Sequence, residues 1–166
     1  MNTDVVIVGA GPAGIFTALE MLKKGSKQKI VMIEKGQSIE NRRCPKHQTN
    51  KCMSCKPYCH ITTGFSGAGA FSDGKLNTGT KDPRHRFILE QFVQCGAPPD
   101  ILIDAKPHIG TDYLYTTLQN LRRKLLSLGA SIRFETRLTD LRIENGALTG
   151  VTVEGPEGPC ELPCRN

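Results

Sequence analysis

The chain has 166 residues, long enough for one domain with a real core and not obliging two. Twenty-two basic against 16 acidic residues leave a formal charge of +6, but aromatics are only 5% and do not interleave with the basic clusters. The charge therefore reads as solvated surface and attraction for an anionic cofactor, not as a nucleic-acid site. Seven cysteines without a secretory leader favour thiols or metal ligands over a disulfide framework. No long uninterrupted apolar run is present, so no membrane span is expected and the cytoplasm is the default location.

Val5 to Val8 predicts a β-branched strand, and Gly-Ala-Gly-Pro-Ala-Gly follows it over residues 9–14. Pro12 to Lys24 predicts a helix with Ile15, Ala18, Leu19 and Leu22 on one face; Ile30 to Ile33 predicts a second strand, ending in Glu34. That order of strand, glycine turn, helix, strand and carboxylate spells a dinucleotide site. Gly9 makes the tight turn, Gly11 lets backbone approach a pyrophosphate, and Gly14 lets helix and strand pack closely. Pro12 falls in the first helical turn, where a missing N–H costs nothing. Gly9, Gly11, Ala13 and Gly14 are thus expected at the pyrophosphate, with helix N–H groups and dipole facing it. Glu34 is expected to accept ribose hydroxyls and to disfavour a 2'-phosphate.

Residues 37–79 have little apolar periodicity and much Gly, Ser, Asn, Lys and Cys, so they read as an excursion from the sheet, either functional or pinned by something such as a metal. Within it, Cys44, Cys52, Cys55 and Cys59 show the spacing C-x7-C-x2-C-x3-C, with His47 and His60 nearby. Three readings stay open: a zinc or iron-sulfur site, a redox dithiol at Cys52 and Cys55, or four unexceptional cysteines. Arg42 and Arg43 read equally as pyrophosphate contacts or as solvated arginines. Gly64, Gly67, Gly69 and Gly74 would let backbone approach a flat ligand or a phosphate, with Ser66, Ser72 and Lys75 as donors; Asp73 reads as a turn residue.

Asp82 to Cys95 predicts a helix carrying Phe87, Ile88, Phe92 and Val93. Thr111 to Leu128 predicts another, with Leu114, Leu118, Leu121, Leu125 and Leu128 facing a core and Arg122-Arg123-Lys124 largely on the other face. Strands follow at Ser131 to Glu135, Leu138 to Glu144 and Ala147 to Glu154, the last two joined at Asn145-Gly146, a strong hairpin signal. Beyond Val153 the glycines and prolines promise no further strand. A nucleotide-binding sheet wants more parallel strands, so the expectation is the front part of a longer protein.

Taken together, residues 9–14 with Glu34, the block Gly64-Phe65-Ser66-Gly67-Ala68-Gly69-Ala70-Phe71-Ser72-Asp73-Gly74-Lys75-Leu76, the segment Lys106 to Asp112 and the closing hairpin resemble the N-terminal part of flavoproteins with the glutathione-reductase-type FAD fold. Within that fold the chain is similar to bacterial FAD-dependent dehydrogenases. The resemblance implies an α/β domain over residues 1–166: a Rossmann-like FAD/NAD(P)-binding domain, incomplete, with a C-terminal β-hairpin. It implies FAD as cofactor, Gly67, Ala68 and Gly69 on the flavin side, Lys35 beside Glu34 at the cofactor, and backbone near Leu138 at adenine. The expected function is an FAD-dependent oxidoreductase fragment acting with a small-molecule substrate. The alternatives are a thiazole-synthase-like protein that holds NAD and a non-catalytic metal- or nucleotide-binding fragment.

Overall fold

The computed structural model describes residues 3–72, 74–76 and 82–166. Asp73, expected to be a turn residue, lies outside them. Strand β1 (Val5–Val8), helix α1 (Pro12–Lys23) and strand β2 (Ile30–Ile33) form the expected βαβ opening, and β3 (Ser131–Arg133) joins them in a parallel sheet ordered β1-β2-β3. The register sets Val5 against Ile30 and Met32 against Ile132. Every residue of β2 is buried, because the two faces of the sheet are covered by different layers. Ile30 and Met32 point into a core shared with Ile15, Leu19, Leu118, Leu121 and Leu125, while Val31 and Ile33 point into a second cluster with Val151, Val153 and Leu162.

The helical layer comprises α1, α3 (Arg84–Gln94) and α4 (Thr111–Ser127); α2 (Lys46–Thr49) is a single turn inside the excursion. On α4 the expected Leu114, Leu118, Leu121 and Leu125 are buried, but Leu128 lies past the helix end and is half-exposed. On α3 the fully buried positions are Leu89 and Gln91, and Phe87, Phe92 and Val93 pack from the rim. The basic cluster of α4 is less solvated than expected. Arg122 pairs with Glu40 at 3.1 Å, and Lys124 donates to the side-chain oxygens of Gln91 and Gln94 on α3.

The second sheet differs from the expected hairpin by one strand. β4 (Arg137–Glu144) and β5 (Ala147–Gly155) pair antiparallel through Asn145 and Gly146, both at positive φ as such a turn requires. A further strand, β6 (Gly158–Pro163), pairs antiparallel with β5. Its prolines hid it in the sequence, yet the sheet order β4-β5-β6 makes β6 an edge, where prolines are tolerated. The outer edge of β1 bonds to the last residues of the chain, the Val6 N–H donating to the Asn166 carbonyl at 2.9 Å and the Arg165 N–H to that of Asp4 at 3.3 Å, while Val8 is 57% exposed.

Candidate functional site

Gly9, Gly11 and Gly14 stand in the turn between β1 and α1, Gly9 at φ 99°. A Cβ on Gly14 would sit 2.0 Å from the Gly9 carbonyl oxygen, so only glycine lets α1 approach the end of β1. A Cβ on Gly9 or Gly11 would meet no atom within 4 Å, which leaves open space at the start of α1. That start has no side-chain cap and no acidic residue in its first turn, and Pro12 occupies its first position. An uncapped helix N-terminus facing open space is a ready anion site.

Glu34 is only 7% exposed. Its Oε2 accepts the Ala10 N–H at 2.9 Å, and its Oε1 accepts the N–H groups of Gly36 at 2.8 Å and Gly64 at 3.1 Å. A carboxylate has about four acceptor positions, so one remains for a ribose hydroxyl. The same three bonds tie the glycine turn, the end of β2 and the return of the excursion to one side chain. Close approach is part of the arrangement: a Cβ on Gly36 would lie 2.5 Å from the Gly64 nitrogen. Gly36 was not singled out in the sequence, although its place two residues after the carboxylate was the available signal.

Arg42 is neither solvated nor aimed at open space. It is 4% exposed, and its guanidinium donates to the carbonyl oxygens of His60 (2.9 Å), Phe65 (2.5 Å), Gly67 (2.8 Å) and Ile61 (2.7 Å). With four carbonyls on one planar fork, Arg42 is a clamp on residues 60–67, which leaves it little to offer a pyrophosphate. Burial pulls its pKa down, and the Glu34 charge pushes back the other way. Phe65, with no exposed surface and its ring edge-on to Phe134 at 6.2 Å, fixes the same stretch in the core.

So anchored, the glycine-rich block lies across the dinucleotide turn. The Ser66 N–H donates to the Ala10 carbonyl at 2.7 Å, and a Cβ on Gly67 would come within 3.9 Å of the Gly11 Cα. Ala68 and Gly69 begin a 3-10 turn (Ala68–Phe71) and are exposed beside it. The two sequence blocks behind the family resemblance also meet: Leu76 N–H donates to Pro107 and Ile109 N–H to Gly74, pairing Lys75 antiparallel with His108.

The cysteines do not assemble a metal centre. Among the described residues no three His, Cys, Asp or Glu side chains are grouped to hold an ion, and Cys52 and Cys59 are exposed while Cys44 and Cys55 are half-buried. The return of the excursion, residues 60–67, is pinned instead by the hydrogen-bonded Arg42 clamp. Cys59 is the chemically distinct one: the N–H groups of Thr62 and Ile61 and the Thr62 hydroxyl hold its thiol below the ordinary cysteine value, with Arg42 adding to the effect.

Past Glu34 a cavity of about 470 Å³ opens among Lys35 and Gly36, Glu135 and Arg137 at the head of β4, and Tyr58 from the excursion. Lys35 is exposed, with its ammonium 5.0 Å from the centre of the Tyr58 ring. Leu138 is not in this lining; its side chain packs into the second cluster, and its neighbour Arg137 faces the cavity. A separate apolar groove of about 450 Å³ lies between α1 and α3, lined by Ala13, Phe16 and Phe87.

Residues 3–61 match the pyridine nucleotide-disulphide oxidoreductase family. An uncharacterised protein of Clostridium beijerinckii is 36% identical over 156 residues, which cover 94% of this chain and 29% of that protein. Among solved structures, the anhydrotetracycline hydroxylase OxyS of Streptomyces rimosus superposes with a TM-score of 0.55 at 22% identity, over 99% of this chain and 30% of the hydroxylase. THI4 of Thermovibrio ammonificans superposes with a TM-score of 0.59 at 16% identity, over 98% of this chain and 55% of THI4. A flavocytochrome c3 fumarate reductase gives a TM-score of 0.56 at 19% identity, over 98% and 32%. The fold is thus the Rossmann-like α/β fold that these structures share over nearly the whole of this chain. The chain spans under a third of the length of its curated relative.

Proposed function

We propose that this chain is the cofactor-binding part of an FAD-dependent oxidoreductase and holds the ADP half of FAD. The observation that carries the reading is the open, uncapped start of α1 between Gly9 and Gly14, flanked by the buried carboxylate of Glu34 and by the Gly64–Gly67 backbone. In this reading the N–H groups of Ala13 and Gly14 and the α1 dipole take the pyrophosphate, with Gly9 and Gly11 leaving the room it needs and Pro12 fixing the entry to the helix. Glu34 offers its remaining acceptor position to a ribose hydroxyl. Lys35 and the backbone around Arg137 and Leu138 border the adenine side, and Gly67, Ala68 and Gly69 lie toward the flavin side. Bound flavin supplies hydride or electron transfer to a small-molecule substrate. A cytoplasmic location accords with seven thiols of which none is paired.

The test is to purify the chain, record its visible spectrum, and identify by chromatography the nucleotide released on denaturation and the one taken up on titration. FAD, or its ADP fragment, is the expected ligand. NAD uptake in preference to FAD would move the chain to the thiazole-synthase-like reading, and uptake of neither would leave the nucleotide assignment without a basis.

A further inference from the structure

The excursion has no part in the reading above beyond its Gly64–Gly69 return, yet residues 56–60 wall the cavity past Glu34. Tyr58 stands where three separate segments converge. Its ring lies under the Lys35 ammonium from the end of β2, and Arg137 at the head of β4, held by Glu154 at 2.6 Å, lines the same cavity. Lys35 and Gly36, the residues directly after Glu34, form part of the cavity wall. That wall offers one aromatic ring, Tyr58, together with the cations of Lys35 and Arg137. Resting on the dinucleotide reading of residues 9–14, we infer that Tyr58 is a positioning residue for the adenine of the bound cofactor. The excursion thereby serves as the outer wall of the adenosine pocket, with the face of the adenine against the Tyr58 ring. An aromatic wall recognises a base through its π-face and needs no particular hydrogen bond.

The probe is ADP, titrated calorimetrically into the whole chain and into Tyr58→Phe and Tyr58→Ala, with thermal melts to check folding. Phenylalanine should bind within about twofold of the natural residue and alanine about tenfold more weakly, as expected when one base-aromatic contact is lost. A second readout uses the natural sequence alone. Cys59 lines the same cavity beside Tyr58, so saturating ADP should slow its alkylation several-fold, followed by peptide mass spectrometry, while the rate at Cys160 stays unchanged. Unchanged ADP affinity in a folded Tyr58→Ala, or a Cys59 rate indifferent to bound ADP, overturns this inference and leaves the dinucleotide reading standing. Failure of the natural chain to bind ADP at all overturns both.

Discussion

At the scale of single residues, the site is held by two buried charges whose work is done on backbone. Glu34 gathers N–H groups and Arg42 gathers carbonyls, and between them they hold the excursion against the nucleotide turn. Neither role is a side-chain pair that spacing would disclose, since the partners are peptide groups at residues 10, 36 and 60–67. Glu34→Gln leaves one acceptor atom for three donors, so it should lose about 2 kcal/mol in urea unfolding as well as ribose affinity. Gly36→Ala drives a Cβ onto the Gly64 nitrogen, with no flexible atom to yield; a loss of about 2–3 kcal/mol and faster proteolysis within residues 37–67 are expected. Glu40 adds a pH dependence. Burial pushes its carboxyl up, but hydrogen bonds from its own backbone and Ser38 and the Arg122 charge carry it below the ordinary 4.5. A carboxyl lowered by folding stabilises above its unfolded value, so this contribution is fully present above about pH 4.5 and is lost as pH falls through the lower folded value. Glu40→Gln should flatten the acid limb of a stability-against-pH curve, and an unchanged limb would contradict the pairing.

At the scale of elements, local pattern was reliable where one face of an element decides it. α1 and α4 follow their periodic apolar residues, and β2 reads as a short continuous run because both of its faces are covered. Leu121→Ala, at 1% exposure on α4, should cost about 3 kcal/mol and lower the melting temperature accordingly. β6 was illegible because prolines mask an edge strand whose pairing partner, β5, supplies all the order. The excursion was legible as a long segment needing an anchor, but the anchor is Arg42 with Phe65 and Glu34. EDTA should therefore leave the thermal midpoint unchanged, whereas Arg42→Lys, which cannot span four carbonyls, should lower it.

At the scale of the whole molecule, the parallel sheet is sandwiched between helices on one face and the antiparallel sheet on the other, and the nucleotide turn opens at the carboxyl ends of β1 and β2. With a formal charge of +6, association of an anionic nucleotide should slow as salt rises, which stopped-flow titration with ADP would measure. The glycine turn with its Glu34, and the succession from β1 through α1 to β2, were legible in the sequence alone, because each depends on neighbours within a few residues or on a fixed period. Tertiary structure alone decided which groups satisfy Glu34 and Arg42, that the four cysteines stand apart, and that the Lys35 ammonium lies over the Tyr58 ring. Those contacts join segments tens of residues apart, and their geometry is set by how the chain closes on itself, which no local pattern encodes.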